Sequence, residues 1–273
     1  MIKFIAFSDM RCPYTVGSDS HIADCDAKKI EELTSSVTPG CRFIASLGDI
    51  IDGNSDSEKS TELINDILYS YDRAAAIHAV MGERESVLTK RGFMKLGDYA
   101  MRYRAFDVSD YRCIFLDTCI GDASDVYGTT DQKHGFEVDD EQFAWLSRLL
   151  GKSHRPAIIF SHAPIAVSKP ENEKFVVKNS SRLRDLIENS GKVALVLSGH
   201  MDNGDCIVSR GVPYITLSPM YKTVESTFSK VSVSSSGIEI EGFGSQESLS
   251  IANVSKEHKL TLSSRLRSVF KKH

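Results

Sequence analysis

Short, continuous apolar runs recur along the chain and predict strands that are covered on both faces. The runs are rich in β-branched and aromatic residues and do not alternate with polar positions, as is typical of a sheet buried between two layers. Six of them precede residue 200, and they span 2–7, 43–47, 76–81, 113–116, 157–160 and 193–197.

Segments with helical period separate several of these runs and indicate an α/β fold. They span 27–33, 61–68 and 141–150, where apolar residues return about every 3.6 positions. After Gly199 the pattern changes to four successive strand-like runs at 206–208, 214–217, 228–233 and 238–240, with turn residues and little helix between them. We expect these later strands to form a second sheet that completes the core.

No internal repeat or long low-complexity linker interrupts residues 1–255, which therefore predict one domain of two packed sheets flanked by helices. The chain has 273 residues, of which 41% are hydrophobic and 26% charged, a balance that suits a soluble protein with a sizeable core. A net charge of −4 gives no electrostatic basis for nucleic acid as the main partner.

The N-terminal apolar segment and the cysteines indicate a cytoplasmic protein. The segment is too short for a signal peptide or a membrane span and leads directly into Asp9. The six cysteines form no CxxC pair, so reduced thiols are expected and a zinc ribbon is not.

Residues 256–273 form a basic appendage with interspersed apolar residues. They include six Lys or Arg and one Glu, a local charge of +5. A basic amphipathic segment of this kind suits peripheral contact with an anionic membrane surface. The other interpretations are a terminal helix packed on its own domain and a frayed tail.

Polar motifs stand at the carboxyl end of five apolar runs. They are Ser8-Asp9-Met10-Arg11, the segments 48–53 and 82–85, Ser161-His162, and the segment 198–202 that contains His200 and Asp202. In a mostly parallel sheet these strand ends open onto one edge, where α/β proteins bind ligands. We therefore expect carboxylates and imidazoles from five segments to meet.

A mixture of carboxylates and imidazoles predicts a divalent metal site. Mn²⁺, Fe²⁺ and Zn²⁺ accept both ligand types, whereas Ca²⁺ and Mg²⁺ prefer oxygen alone, and a structural zinc site more often uses cysteine. The glycines at 48, 82 and 199 fit this interpretation, because a residue without Cβ lets the backbone approach an ion closely.

The order of these motifs resembles that of the calcineurin-like metallophosphoesterases. Their motifs run Asp-x-His, Gly-Asp-x-x-Asp, Gly-Asn-His-Glu/Asp, a lone His and Gly-His-x-His, and the similarity covers about residues 1–220. The segment EQFAWLSRLL at 141–150 is similar to a helix of the cyclic-nucleotide-phosphodiesterase-like branch. The resemblance implies a four-layer α/β/β/α sandwich of two mixed sheets flanked by helices, and a two-metal phosphohydrolase.

Carried onto this chain, the resemblance implies a role for each matching residue. Asp49 would bridge two metal ions, and the second ion would also take Glu83, His162 and His200. The first ion would take Asp9. Its other two family ligands are histidines, at positions held here by Arg11 and Asp202. Glu85 would support the ligands from behind, Asp52 would brace the Asp49 loop, and Arg84 stands where the family has a histidine that protonates the leaving group or holds phosphate.

These substitutions leave two arrangements open. In one, Asp9, Asp49 and Asp202 hold a first ion with oxygen ligands, which favours Mn²⁺ or Mg²⁺. In the other, one ion remains and Arg11 pairs with Asp9, since a guanidinium stays protonated and cannot coordinate a metal. The second arrangement is the one we favour.

The residues expected to assist catalysis are Arg84, Arg11 and Asp52. Arg84 cannot act as a general acid near neutral pH, so good leaving groups are expected, as in pyrophosphates or aryl phosphodiesters. An equally serious structural interpretation pairs Arg84 with Glu85 or Asp117. The competing function is a catalytically impaired phosphoesterase fold that binds phosphate or nucleotides or serves a regulatory role. A weaker interpretation is a membrane-peripheral enzyme acting on a lipid-linked or glycan phosphate.

Overall fold

The computed structural model describes residues 1–16, 21–88, 92, 95–96, 102–119 and 135–252. The basic segment 256–273 lies outside the described residues, so its predicted membrane contact stays a prediction. In the described part of the chain, twelve strands form two mixed six-stranded sheets flanked by helices, which confirms the predicted α/β architecture.

The described strands and helices are numbered here in chain order. The strands are β1 (Ile2–Phe7), β2 (Cys41–Ser46), β3 (Ile77–Ala79), β4 (Arg104–Val108), β5 (Tyr111–Phe115), β6 (Ala157–Phe160), β7 (Val193–Ser198), β8 (Asp205–Ser209), β9 (Val212–Thr216), β10 (Phe228–Val233), β11 (Gly237–Phe243) and β12 (Leu249–Ala252). The helices are α1 (Asp24–Ser35), α2 (Ser57–Asp72), α3 (Asp140–Lys152) and α4 (Ser180–Ser190).

The strands after Gly199 do not form a sheet of their own, which corrects that expectation. In the first sheet the order is β12-β11-β10-β1-β2-β3, and in the second it is β4-β5-β6-β7-β9-β8. The physical reason is pairing: β10 runs antiparallel to β1, with Ile2 opposite Val233, while β9 runs parallel to β7. The late strands therefore extend both sheets.

Three apolar layers hold the four structural layers together. Between the sheets, the rings of Phe4 and Phe43 stack with centroids 5.0 Å apart, and those of Phe115 and Phe160 stack at 4.4 Å. Helices α1 and α2 cover the outer face of the first sheet, and α3 and α4 cover that of the second. Buried apolar side chains on both faces of the central strands explain their continuous apolar sequence.

Local signals set several helix ends. The Asp56 carboxylate accepts hydrogen bonds from the N–H groups of Glu58 and Lys59 at the start of α2, and Asp139 accepts one from Gln142 at the start of α3. Helix α4 ends at Gly191, whose φ of 62° is left-handed. Among the described helices, none combines the length and the apolarity that a bilayer crossing requires.

Candidate active site

The five polar motifs meet at one end of the sandwich, but they come from both sheets rather than from one. The first three follow β1, β2 and β3 in the first sheet, and the other two follow β6 and β7 in the second. Backbone hydrogen bonds join the loops: Asp9 N–H donates to the Gly48 carbonyl at 3.0 Å, and Gly199 N–H donates to the His162 carbonyl at 2.9 Å. The site is therefore a seam between the two sheet edges.

Close approach across this seam requires glycine at two positions. A Cβ placed on Gly82 would overlap the Asp49 side chain and lie 2.9 Å from His162 Cε1. Gly48 has a φ of 91°, and a Cβ there would lie 2.7 Å from His162 Nδ1. Because neither glycine has a Cβ, the loops that follow β2 and β3 pack directly against His162.

Left-handed backbone conformations concentrate at the same place. Among the described residues, six other than glycine have positive φ, and four of these belong to the predicted site: Asp9 at 52°, Arg11 at 53°, Asp49 at 53° and His200 at 69°. Such conformations are costly for residues with a Cβ, and they cluster at functional sites. These left-handed conformations accompany the placement of the four side chains at the seam.

Glu83, His162 and His200 form a group of facing ligand atoms. One atom from each lies within 4.8 Å of the others, and His200 Nδ1 is 3.1 Å from Glu83 Oε2. His162 Nδ1 lies 2.7 Å from the Leu47 carbonyl oxygen and therefore carries the proton. Its Nε2 lone pair is then directed to Asp49 Oδ1, 3.6 Å away.

Several buried polar atoms at this seam have no hydrogen-bond partner among the described residues. They are His162 Nε2, which lies 3.6 Å from Asp49 Oδ1, and three atoms held by ion pairs rather than hydrogen bonds, namely Asp49 Oδ2, Arg11 Nε and Arg84 Nε. Buried polar atoms are normally paired, so a concentration of unpaired atoms indicates a missing ligand. Imidazole nitrogens and carboxylate oxygens together fit a borderline divalent cation.

Arg11 lies between Asp9 and Asp49. Its Nη2 donates to Asp9 Oδ1 at 2.9 Å, and its Nε lies 3.6 Å from Asp49 Oδ2. Asp9 and Asp49 are fully buried and, with His162, form a second group of atoms within 4.8 Å of one another. The guanidinium thus neutralises carboxylates that could otherwise hold a cation.

Asp202 does not join either group of candidate ligands. Its carboxylate accepts a 2.6 Å hydrogen bond from the Tyr221 hydroxyl and lies 3.4 Å from Lys222 Nζ. The Tyr221 hydrogen bond is the main cause that lowers the pKa of Asp202, and the side chain is 61% exposed. Asp202 therefore faces the rim of the site.

Arg84 is fixed to the Asp49 loop. Its backbone N–H donates to Asp49 Oδ1 at 3.0 Å, and its Nη1 donates to the Asp52 carbonyl at 2.8 Å. Its Nε lies 3.6 Å from Asp49 Oδ2. The carboxylate beside Arg84 is thus Asp49, not the Glu85 or Asp117 of the structural interpretation.

Glu85 is the residue that braces the Asp49 loop from behind. Its buried carboxylate accepts hydrogen bonds from the N–H groups of Asp49, Ile50, Ile51 and Gly82, at 2.7 to 3.2 Å. The Asp52 carboxylate, expected to brace the same loop, instead accepts two 2.9 Å hydrogen bonds from Asn54 in its own turn.

The electrostatics of the seam favour a bound cation. Burial, followed by the charges of Glu85, Asp9 and Glu83, raises the pKa of Asp49. Burial also acts to raise the pKa of Glu83, but the hydrogen bond and charge of His200 outweigh it and lower that pKa to about 2. A positive ion beside Asp49 and Glu83 would relieve the repulsion among these carboxylates.

Three aromatic residues at the site carry no sequence signal. The ring centroid of Phe136 lies 4.4 Å from that of His200, and the centroid of Phe175 lies 5.7 Å from it. Both aromatic rings therefore pack against His200. The Tyr221 ring lies 4.2 Å from the guanidinium carbon of Arg11. All three lie outside the apolar runs, where an isolated aromatic residue has no periodicity to reveal it.

Comparison with known proteins identifies one family and several similar folds. The family model for calcineurin-like phosphoesterase matches residues 3–202. No curated protein matches the sequence.

Among solved structures, a dimetal phosphatase from Danio rerio is 17% identical, with a TM-score of 0.74, and the match covers 92% of this chain and 99% of that one. GAP50, the anchor in the inner membrane complex of Plasmodium, is 15% identical, with a TM-score of 0.63 and coverage of 92% and 89%. A purple acid phosphatase from yellow lupin (Lupinus luteus) seeds is 11% identical, with a TM-score of 0.58 and coverage of 92% and 52%. At these identities the likeness shows a shared fold.

Proposed function

The chain belongs to the calcineurin-like phosphoesterase family, and from this we propose that it hydrolyses a phosphodiester or pyrophosphate bond with the help of a divalent metal ion. One observation carries the proposal: the buried His162 Nε2, which has no hydrogen bond among the described residues, faces Asp49 in the seam where the His200–Glu83 pair also lies. A purely structural role would leave the cost of burying His162 Nε2 without a hydrogen bond uncompensated.

The ligands of the proposed ion are Asp49, Glu83, His162 and His200. When bound, the ion supplies Lewis-acid polarisation of the phosphoryl group and lowers the pKa of water. Two imidazoles and two carboxylates favour Mn²⁺, Fe²⁺ or Zn²⁺ as its identity. Mg²⁺ would suit a site formed by oxygen atoms alone.

The two arginines bind and orient the phosphoryl group in this proposal. Arg11 Nε and Arg84 Nε are buried and make no hydrogen bond among the described residues, and each forms a 3.6 Å ion pair with the same Asp49 oxygen. Guanidinium groups placed where charge develops on a transferring phosphoryl group stabilise the transition state. Asp52 assists through its carbonyl, which accepts the 2.8 Å hydrogen bond from Arg84 Nη1.

Arg84 also restricts the class of substrate in this proposal. Arg84 cannot donate a proton to a departing alkoxide, because a guanidinium keeps its proton near neutral pH. We therefore expect a phosphorylated small molecule or a nucleotide-like compound with a good leaving group.

A second candidate function is a non-catalytic module that binds phosphate or nucleotides. The observation in its favour is that Arg11 contacts Asp9 and Asp49 while Asp202 faces Tyr221 at the rim. GAP50, which shares the fold, is described as an anchor. The two functions differ in one measurable property, which is turnover.

Elemental analysis combined with an activity assay tests the proposal. The purified chain and its Asp49→Asn variant are analysed for bound metal and assayed on bis(p-nitrophenyl) phosphate with added Mn²⁺. We expect bound metal and turnover in the unchanged chain, and loss of both in the variant. Asp107→Asn is a suitable control, because Asp107 pairs with Arg112 at the surface. Bound metal without turnover favours the binding module, and absence of both contradicts the metal site itself.

A further inference from the structure

Arg11 makes the contacts that a second cation would make. Its guanidinium hydrogen-bonds the Asp9 carboxylate at 2.9 Å and lies 3.6 Å from that of Asp49. Both carboxylates are fully buried, and Ser8 Oγ together with the His200 N–H donates to the other Asp9 oxygen, Oδ2. The Asp9 oxygens are therefore already paired among the described residues.

Tyr221 fixes the other side of the Arg11 guanidinium. Its ring lies 4.2 Å from the guanidinium carbon, its N–H donates to the Asp9 carbonyl at 2.9 Å, and its hydroxyl donates to Asp202 at 2.6 Å. Met220 N–H donates to the Ser8 carbonyl at 2.9 Å, so this turn is tied to the end of β1. The ring is thus anchored at both its backbone and its hydroxyl.

The first ion of a two-metal centre does not fit these residues. Of the positions that would supply its ligands, Arg11 offers only N–H donors, and Asp202 lies at the rim in hydrogen bonds with Tyr221 and Lys222. An ion at Asp9 would also lie beside a permanent positive charge that cannot deprotonate. Charge and donor chemistry both oppose a second metal ion here.

We propose that Arg11 replaces one metal ion, that the chain binds a single divalent ion, and that Tyr221 is the positioning residue for this fixed cation. Arg11 Nε, which is buried and makes no hydrogen bond among the described residues, then donates to a phosphoryl oxygen of the substrate. The replacement of the ion stands on the contacts alone, while the role toward phosphoryl oxygen rests on the proposed function.

Manganese titration of the full chain tests the number of ions. After chelator treatment, Mn²⁺ is added and the free ion is followed by its electron paramagnetic resonance signal. We expect one ion per chain and the spectrum of an isolated Mn²⁺. Two ions per chain, or the spectrum of a spin-coupled pair, would overturn the inference.

A double variant tests whether Arg11 decides that number. Arg11→His with Asp202→His removes the fixed charge and supplies two imidazoles, so we expect a second Mn²⁺ to bind and the spectrum to become coupled. A folded double variant that still binds one ion would contradict the assignment to Arg11. Arg11→Ala is the companion variant: it removes the fixed charge alone and is also expected to raise Mn²⁺ uptake above one ion per chain.

Two Tyr221 variants separate positioning from a general structural role. Tyr221→Leu removes the aromatic face, and we expect KM for bis(p-nitrophenyl) phosphate to rise about 3- to 30-fold while Mn²⁺ affinity is unchanged. Tyr221→Phe keeps the ring and should restore most of that loss. A parallel fall in Mn²⁺ affinity in Tyr221→Leu, or an unchanged KM, would overturn the positioning role.

The readouts keep this inference separate from the proposed function. One Mn²⁺ per chain without any phosphoesterase turnover supports the replacement by Arg11 and contradicts hydrolysis. Two coupled ions with turnover contradict the replacement by Arg11 and support hydrolysis.

Discussion

His162 directs its Nε2 to Asp49 because its Nδ1 is bound to the Leu47 carbonyl oxygen at 2.7 Å. The tautomer is thereby fixed before any ion arrives, which is how metal-binding histidines are commonly oriented. We predict that His162→Gln lowers Mn²⁺ affinity by more than about 100-fold, because it removes a preoriented ligand. Calorimetric titration measures the change, and His154→Gln, at an exposed position, is the control. Equal affinities in the two variants would exclude His162 as a ligand.

Glu85 stabilises the two loops that form the site. Its carboxylate accepts four backbone N–H groups from two loops and is completely buried. A glutamine at this position would have one acceptor oxygen and would place an NH₂ group against those donors. We predict that Glu85→Gln lowers the free energy of unfolding by about 2–4 kcal/mol. Urea denaturation measures it, and a change below about 1 kcal/mol would contradict this account.

Arg84 sets the preference for leaving groups. A histidine at position 84 could protonate an alkoxide, whereas arginine cannot. We predict that Arg84→His raises the rate on an alkyl phosphodiester relative to the rate on bis(p-nitrophenyl) phosphate by at least about tenfold. Arg84→Lys, which also lacks a proton donor of suitable pKa, is the matched control. If both variants change the ratio equally, the preference has another origin.

The buried His78, remote from the site, should make the stability of the fold sensitive to acid. Burial among Phe43, Phe106 and Phe115, followed by the charge of Arg104, lowers the pKa of His78 to about 4. The unfolded chain takes up this proton near its ordinary pKa of 6.5, so stability from neutral His78 is complete above pH 6.5 and is lost as pH falls toward 4. We predict that His78→Phe reduces this loss. Urea denaturation at several pH values between 7 and 4 measures it, and parallel pH profiles for the two proteins would count against it.

The basic segment 256–273 supplies a prediction about location. Its charge of +5 favours anionic vesicles, on which each Lys or Arg near the surface contributes about 1 kcal/mol. We predict that the full chain cosediments with phosphatidylserine vesicles and that a chain ending at residue 255 does not. Binding should weaken with added salt. Equal sedimentation of the two chains would assign any membrane contact to another surface.

Burial explains which elements the sequence predicted. Strands β1, β6 and β10 span the predicted runs without change. Strands β1 and β6 are mostly apolar because they are buried on both faces, whereas β10 (FSKVSV) mixes apolar and polar residues. Strands β4 and β12 lie at sheet edges and are only partly buried, so their sequences lack that signal. Helix α4 was not predicted, because it has only two buried apolar side chains, Leu183 and Ile187, among mostly polar residues.

The sequence predicted the residue types of the site and the pairing of Arg11 with Asp9, but not every contact of the site. Strand ends brought Asp9, Asp49, Glu83, His162 and His200 together, as their position after apolar runs indicated. The partnership of Asp202 with Tyr221 joins a loop to a distant 3₁₀ helix, and sequence spacing does not encode such a contact. The Arg11 contact with Asp9, by contrast, lies as predicted, whereas the Tyr221 ring 4.2 Å from its guanidinium had no signal in the sequence.

Because Gly82 has no side chain, the site is sensitive to a single substitution at this position. A single added methyl group there would collide with Asp49 and lie 2.9 Å from His162 Cε1. One nucleotide change, from glycine to alanine, would therefore press a methyl group against two proposed ligands of the ion, which leaves this position closed to every side chain larger than a hydrogen atom.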